Sequence, residues 1–309
     1  MKETHNSHNP TMKLLENEIA IDSFLDSRRR ENREAKTITG IPYPFLKWAG
    51  GKRQLLSQME KFIPKKFNKY IEPFVGGGAL FFFILPKKAI LIDNNLELIN
   101  CYKVIKRNVN ELVKYLKKHT YNKEYYYKIR AIDRNVEKYR TLPNTEKAAR
   151  TIFLNKTGYN GLFRVNQKGF FNVPFGRYKN PKICDRKNLF AVHHALQSVK
   201  IIHSSFEHCL DYAEEEDFVY LDPPYYPISD TSLFTSYTKD NFGKESQIKL
   251  YTIFQKLDQK GCQILLNNSY SDFILNLYKD FRIEILKAKR AINSKSNKRG
   301  EIKEVLIMN

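Results

Sequence analysis

The sequence predicts an α/β fold whose largely parallel sheet is interrupted by a basic segment. A strand, a glycine turn, a helix and a second strand follow one another in KYIEPFVGGGALFFFIL (69–85) and AILIDN (89–94). A basic, aromatic-rich stretch then occupies residues 98–200, and strand patterns return after it. The strand–turn–helix–strand order is that of a βαβ unit, which pairs its strands in parallel.

The elements follow in order along the chain. Residues 1–43 are polar and are expected to form a flexible extension. Helical patterns follow the second strand at 98–118 and 145–156, and VNQKGFF (165–171) has the character of a β-hairpin. The later strands are predicted in VKIIHSSF, FVYLDPP, CQILLNNS, IEILKAKR and KEVLIMN. The basic segment therefore interrupts the sheet between its second strand and its later ones.

Composition excludes several classes of protein. Hydrophobic residues make up 42% of the 309 residues, which is too many for a wholly disordered chain. The longest strongly apolar run, ALFFFIL (79–85), is too short to cross a bilayer, and the amino-terminal residues lack the apolar core of a signal peptide. A cytoplasmic location is expected.

Cysteine and histidine spacing indicates no metal site. The four cysteines are scattered, without a C-x-x-C pair, so we expect reduced thiols. Four histidines lie within residues 193–208, but their spacing is not that of a helical metal motif. No metal is therefore expected.

The charge is unevenly distributed. The chain carries a net charge of +20, and residues 98–200 hold 23 Lys and Arg against 6 Asp and Glu. A segment so basic, interleaved with Tyr, Phe and Asn, suits a polyanion better than a merely solvated surface. Nucleic acid is the leading candidate for a partner.

The stretch FVYLDPPYYPISD (218–230) joins an apolar run to an acid, two prolines and two tyrosines. Pro223 and Pro224 lack amide hydrogens, so the predicted strand must stop at Asp222. The turn then presents a carboxylate, a carbonyl and the Tyr225 ring at the carboxyl end of a strand, where open α/β sheets bind ligands. By themselves these residues fit a ligand site and an ordinary strand-ending turn equally well.

A second candidate site is the glycine cluster. Gly76 and Gly78 follow the strand that ends at Phe74, where side chains would keep a ligand from the backbone amides. Phe81 stands where a dinucleotide fingerprint has its third glycine, which weakens an NAD interpretation. Asp93 ends the next strand, a common position for an acid that binds ribose hydroxyls.

A phosphate loop is rejected in the Gly50–Gly51–Lys52 run. Leu46 stands where the first glycine of that motif belongs, and Arg53 stands where it has Ser or Thr. A nucleoside triphosphatase is therefore excluded.

Together these motifs resemble the Dam-type adenine-N6 DNA methyltransferases, in which a cofactor loop, a target-recognition insertion and D-P-P-Y follow in that order. The resemblance spans residues 44–309, and its recognition strings are more specific than its glycines. The matching strings are FLKWAGGK (45–52), EPFVGGG (72–78), LNKTGYNGLFRVN (154–166), FNVPFGRY (171–178), LDPPYY (221–226) and FTSYTKDNF (234–242).

The resemblance implies a class I S-adenosylmethionine-dependent methyltransferase core, Rossmann-like, at 44–97 and 199–309. It implies an inserted target-recognition domain of helices and a β-hairpin at 98–198. The extension at 1–43 has no counterpart in compact members of the family. The implied cofactor is S-adenosyl-L-methionine, and the residues implied to bind it are Trp48, Lys52, Phe74, Gly76, Gly78, Asp93 and Asp222.

Chemical reasoning agrees with this resemblance. The adenine amino nitrogen is a poor nucleophile because its lone pair is delocalised into the ring. The Asp222 carboxylate and the Pro223 carbonyl can each accept one N–H and so aim that lone pair at the methyl group. Tyr225 offers a face to a base that has left the duplex. The predicted catalytic residues are Asp222, Pro223, Pro224 and Tyr225.

The resemblance also assigns roles within the recognition segment. It implies base contacts for Lys47, Leu162, Arg164 and Pro174, insertion into the base stack for Tyr159 and Asn160, and a phosphate contact for Arg177. The expected partner is double-stranded DNA, with no membrane contact, and the expected protein is a monomer associated with the nucleoid.

The expected function is N6-methylation of adenine within GATC, because both recognition strings resemble those of GATC enzymes. A longer site such as GATATC is the close rival, and an RNA adenine methyltransferase is a further alternative. A DNA-binding module without activity is disfavoured because the glycines and D-P-P-Y are intact. The sequence leaves open whether the protein serves a restriction system or housekeeping, and whether it is processive.

Overall fold

The structure, a computed structural model, describes residues 40–227, 242–289 and 301–309. The extension before residue 40 and most of the string FTSYTKDNF lie outside the described residues. Residues Pro42–Asn309 form one compact unit. The strands are β1 (Tyr70–Glu72), β2 (Ala89–Asp93), β3 (Val199–His203), β4 (Phe218–Leu221), β5 (Gln263–Ser269), β6 (Arg282–Lys289) and β7 (Glu301–Met308).

These strands form one sheet in the order β3-β2-β1-β4-β5-β7-β6. The first five run parallel, whereas β7 is antiparallel to both of its neighbours. β1 and β4 are buried along their whole length, as is usual for parallel strands covered on both faces. The predicted α/β fold is confirmed, and β4 ends at Leu221, as the two prolines require.

Helices cover both faces of the sheet. One face packs against α2, α3, α6 and α7, and the other against α8 and α9. The helices are α1 (Leu56–Met59), α2 (Ala79–Ile84), α3 (Leu96–Lys117), α4 (Lys123–Arg130), α5 (Val136–Thr141), α6 (Asn144–Thr157), α7 (Arg186–Ala195), α8 (Lys244–Gln259) and α9 (Asp272–Leu277).

The longest helix, α3, is shaped by its caps and by its neighbour α7. Asn95 caps its amino terminus by accepting the Leu98 N–H. The helix is kinked at Asn108, where φ is −134°. His193 and Gln197 contact the carbonyls of Ile105 and Lys106 just before the kink. Backbone carbonyls that the kink disturbs therefore have side-chain partners.

The segment between α3 and β3 carries α4, α5, α6, a hairpin and α7. In the hairpin, Val165 pairs with Phe171, and the Asn166 N–H donates to the Phe170 carbonyl at 2.9 Å. A separate apolar cluster of Tyr126, Phe153, Leu154, Phe171 and Val173 supports this hairpin. α6 contributes Phe153 and Leu154 to this cluster and, together with α7, also packs into the same core as the sheet.

The order of the strands creates a crevice at the carboxyl ends of the two central strands β1 and β4. β1 and β4 are neighbours, but the chain proceeds from β1 towards β2 and from β4 towards β5, on opposite sides. The loops after β1 and β4 therefore separate at a topological switch point, where such sheets bind ligands. These two loops carry the glycine cluster and the D-P-P-Y turn. Of the helices that the structure describes, none is long and apolar enough to span a bilayer.

Candidate active site

Three of the predicted site residues meet at the D-P-P-Y turn. The Lys52 ammonium lies 3.0 Å from Asp222 Oδ1 and 4.5 Å from the centre of the Tyr225 ring. It also donates to the Gly50 carbonyl at 2.7 Å. Lys52 is only 5% exposed and Asp222 is 18% exposed, so this ion pair is largely screened from water. Lys52, predicted to bind cofactor, thus also contacts two predicted catalytic residues.

The environment of Asp222 perturbs its ionisation. Burial raises the pKa of Asp222 to about 6. The Lys52 ammonium pulls that pKa down, whereas the Glu304 carboxylate pushes it up. An aspartate with an ordinary pKa would be sufficient for methyl transfer. Asp222 differs from such a residue, because its pKa lies close to neutrality.

The sequence did not point to Glu304, which anchors Tyr225. The Tyr225 hydroxyl donates to Glu304 Oε2 at 2.5 Å. Glu304 lies on β7 opposite Ser269 of β5, far from the turn in sequence. Burial raises the pKa of Tyr225 well above its ordinary value, so the hydroxyl remains a donor. The tyrosine ring is thus held at its polar end by a side chain from β7.

The glycine loop is tied to the end of β2. The Gly76 N–H donates to Asp93 Oδ2 at 3.0 Å, and the Asn95 N–H donates to Asp93 Oδ1 at 2.9 Å. Gly76 and Gly78 have φ values of +47° and +65°, a backbone region that side chains disfavour. A Cβ on Gly76 would lie 2.8 Å from Trp48 Cδ1. The loop therefore needs glycine for its own conformation and for Trp48, a reason that sequence reasoning did not supply.

Aromatic contacts place the other two predicted cofactor residues. Trp48 stacks on Phe163 of the inserted segment, with ring centres 5.2 Å apart. Phe74 stacks on Phe206, which follows β3, at 5.1 Å. Neither Phe163 nor Phe206 was predicted as a site residue, because their partners are distant in sequence. Trp48 thereby joins the glycine loop to the insertion.

The residues predicted to contact DNA are mostly exposed. Tyr159 and Asn160 lie in a tight 3-10 turn, Tyr159–Gly161, with Tyr159 54% exposed and Asn160 at a φ of +56°. Lys47, Pro174 and Arg177 are also exposed, and Leu162 is half-buried. Arg164 is half-buried in the hairpin, where its Nε donates to Asn172 Oδ1 at 2.7 Å.

A buried amide that sequence reasoning missed connects this surface to the core. Asn155, near the end of α6, accepts the Lys47 N–H at 3.0 Å and donates to the Lys47 carbonyl at 2.9 Å. It also donates to the Gly161 carbonyl at 2.7 Å. The backbone of Lys47 and the exposed turn Tyr159–Gly161 are therefore fixed by one side chain.

With this geometry in place, comparison with known proteins is decisive. Residues 48–292 match the family described as D12 class N6 adenine-specific DNA methyltransferase. The chain belongs to this family. It is accordingly an adenine-specific DNA methyltransferase that acts on double-stranded DNA, and the predicted class I methyltransferase core is confirmed.

Individual proteins similar to this chain are also named as type II methyltransferases or as DNA adenine methylases. The type II methyltransferase M1.LlaDCHI of Lactococcus lactis is 46% identical over 272 residues, covering 86% of this chain and 95% of the relative. M.MjaIII of Methanocaldococcus jannaschii, also a type II methyltransferase, is 49% identical over 286 residues, covering 86% and 98%. The DNA adenine methylase of Haemophilus influenzae is 33% identical over 270 residues, covering 85% and 92%.

Membership of this family implies that S-adenosylmethionine is the methyl donor. The side chains that line the crevice fit this cofactor. The crevice offers a carboxylate at the end of β2, suited to ribose hydroxyls, and aromatic rings at Trp48 and Phe74, suited to an adenine or a sulfonium. Across residues 40–227, 242–289 and 301–309, no cluster of three His, Cys, Asp or Glu side chains could hold a metal ion.

Proposed function

We propose that this methyltransferase modifies the adenine of GATC in duplex DNA. The resemblance of the two recognition strings, 154–166 and 171–178, to those of GATC enzymes carries the choice of site. The hairpin supports the proposal in one respect, because it fixes the Arg164 side chain through a bond from Nε to Asn172 Oδ1, and arginine forked onto a guanine edge is the commonest specific base contact. An RNA substrate is not favoured by a family defined by DNA methylation.

Mapping of methylated adenines in plasmid DNA exposed to the purified protein tests this proposal. Modification at every GATC and at no other sequence is the expected result. Modification confined to GATATC would identify the longer site instead. Modification of adenines without a common sequence would overturn the proposed specificity while leaving the family assignment intact.

The D-P-P-Y turn is proposed to orient the reacting amine. The Asp222 carboxylate and the Pro223 carbonyl each accept one N–H of the adenine amino group, which aims its lone pair. Pro224 sets the turn, and Tyr225 provides a ring on which the flipped base stacks. S-adenosylmethionine, when bound, supplies an electrophilic methyl group. The proton released from the amine passes to water.

The crevice between the loops after β1 and β4 is proposed to hold the cofactor. Asp93 would accept hydrogen bonds from ribose hydroxyls, and the aromatic rings would pack against the ligand. Asp222 would contact both the cofactor and the base. The proposed cofactor-binding residues are Trp48, Lys52, Phe74, Gly76, Gly78, Asp93 and Asp222.

The exposed residues of the insertion are proposed to bind DNA. Tyr159 and Asn160 enter the disturbed base stack, and Arg177 contacts a phosphate. Lys47, Leu162, Arg164 and Pro174 contact bases. We further propose that the protein is a cytoplasmic, nucleoid-associated monomer, with the segment 98–198 as its recognition domain.

The titration of Asp222 gives a pH prediction. Its pKa is raised to about 6, so the acceptor carboxylate is lost as pH falls through that value. The value of kcat/KM for methyl transfer should therefore decline below pH 6, whereas an unperturbed aspartate would hold the rate to about pH 4. A pH–rate profile measures the midpoint.

Two charge variants should move this midpoint in opposite directions. Glu304→Gln should lower it, because the Glu304 carboxylate raises the pKa of Asp222, and Lys52→Met should raise it, because the ammonium lowers that pKa. A midpoint that stays in place in both variants would show that another group controls the profile.

Gly76→Val should weaken S-adenosylmethionine binding measured by calorimetry without DNA. The new Cβ would press on Trp48 and force a left-handed backbone to carry a branched side chain. We expect at least about a tenfold loss, equivalent to about 1.4 kcal/mol. Gly169→Val is the matched control, since Gly169 has φ +80° but nothing within 4 Å of its Cβ position. Equal affinities in both variants would place the cofactor elsewhere.

Base flipping is tested with 2-aminopurine in place of the target adenine. Its fluorescence should rise on binding, because the base leaves the stack. Tyr225→Ala should reduce the flipped population or the rate of transfer, since it removes the stacking ring. Brightening at another position of the duplex, without brightening at the target, would mean that a different adenine is the substrate.

A further inference from the structure

Two fully buried amide side chains bracket the D-P-P-Y turn. Gln247 on α8 donates from Nε2 to the Pro224 carbonyl at 3.0 Å. Asn268 on β5 accepts the Tyr226 N–H through Oδ1 at 3.2 Å. The two side chains are joined by a bond from Asn268 Nδ2 to Gln247 Oε1 at 2.9 Å. The chain is thus fixed at the residue before Tyr225 and at the residue after it.

The direction of these bonds is fixed by the backbone groups at each end. The Pro224 carbonyl can only accept, and the Tyr226 N–H can only donate. Gln247 must therefore present its NH₂ group and Asn268 its oxygen, which leaves complementary groups to bond each other. Asn268 Oδ1 also accepts the Ser269 N–H at 2.8 Å. A carboxylate in place of Gln247 would face a carbonyl oxygen without a proton between them.

The turn needs such support because of its own sequence. Pro223 and Pro224 have no N–H, so their nitrogens cannot hold the turn to a neighbouring strand. The pairing between β4 and β5 reaches Leu221 and Leu266. Beyond that point, the side chains of Gln247 and Asn268 continue the connection between β5 and the turn.

We infer that Gln247 and Asn268 are positioning residues for methyl transfer. Acting through the backbone on both sides of Tyr225, they hold the Tyr225 ring where the base must stack and, one residue before Pro224, the Pro223 carbonyl where it must meet the amine. This inference rests on the proposed function of the turn. Both side chains are fully buried, so neither is exposed to the substrate. Their effect should therefore fall on the rate of the chemical step and not on binding.

The test compares Gln247→Glu with a matched control on the same helix. Gln247→Glu removes the donor to Pro224 and nearly preserves shape, and we expect kcat to fall about 10- to 100-fold, as a misplaced catalytic group would cause. The KM for DNA and the calorimetric affinity for S-adenosylmethionine should be unchanged. Gln255→Glu should behave as the wild type, because Gln255 is exposed and donates to the Tyr251 hydroxyl within the same helix, away from the turn.

Two further readouts separate positioning from general damage. A duplex with 2-aminopurine at the target should still brighten on binding Gln247→Glu, since Tyr159 and Asn160, proposed to enter the base stack, are untouched and the Tyr225 ring is still present. Asn268→Asp keeps the acceptor for Tyr226 but loses the bond to Gln247, so its kcat should fall less.

The outcomes are distinct. Wild-type kcat in a folded Gln247→Glu protein would overturn the inference, as would loss of brightening or a parallel rise in KM. Failure of both variants to fold, judged from their unfolding midpoints, would show that the amides are structural and would overturn it too. Failure of the wild type to methylate a GATC duplex would instead refute the proposed function.

Discussion

Asp222→Ala should reduce methyl transfer by about 100- to 1000-fold or more while DNA binding stays close to that of the wild type. The loss is of the size seen when a group that stabilises developing charge is removed. Asp222 has this effect because its carboxylate aims the amine, and it lies at the sheet edge and not on the exposed surface proposed to contact phosphates. Single-turnover methylation rates and DNA affinities measure the two quantities separately.

A second variant at residue 222 is needed to separate loss of activity from loss of stability. Asp222→Ala leaves the Lys52 ammonium, 5% exposed, without its partner, and a buried unpaired charge is destabilising. Asp222→Asn keeps the side-chain volume and an oxygen that can accept from the Lys52 ammonium, so it should lose less stability and less activity than Asp222→Ala. Asp211→Ala is the surface control, since that carboxylate is 60% exposed and contacts His208. Near-normal turnover in Asp222→Ala would refute the proposed role of the turn.

Arg164→Ala should relax the choice of one guanine in the target site. A guanidinium forked onto guanine O6 and N7 contributes about 1–3 kcal/mol of discrimination, or about 5- to 150-fold. Methylation should therefore spread to duplexes altered at that base pair and remain selective at the others. The measurement is a set of methylation rates on duplexes varied one base pair at a time.

Arg177→Ala is the comparison. Arg177 is exposed, and a phosphate contact supports every sequence equally. The variant should weaken binding to all duplexes and reduce the slope of log affinity against log salt by about one. If Arg164→Ala also lowers all rates by one common factor, then Arg164 is a phosphate contact and the proposed reading of GATC through it is wrong.

The features that sequence could predict are those determined by neighbours along the chain. Two consecutive prolines end β4 wherever the rest of the chain lies, and glycines at 76 and 78 require a turn after β1. The parallel order then places both loops at one edge. Local chemistry and one topological rule were therefore enough to bring Asp222, Asp93 and the glycines to a common crevice.

The supporting residues could not be predicted in this way. Glu304 reaches Tyr225 because β7 pairs antiparallel with β5, and Gln247 reaches Pro224 because α8 packs under the turn. The pairing of Lys52 with Asp222 likewise joins residues that are distant in sequence. Each contact depends on tertiary packing, and a lone Glu, Gln or Lys in a sequence has no pattern that reveals its partner.

The bonds of Asn155 have a consequence for protein engineering. Asn155 binds both the N–H and the carbonyl of Lys47, and Trp48 stacks on Phe163. The inserted segment is therefore packed against residues that lie outside its own stretch of sequence. A chimera that transplants residues 98–198 from a relative would separate these partners. Exchange of recognition segments should succeed more often when residues 44–52 are taken from the same donor protein.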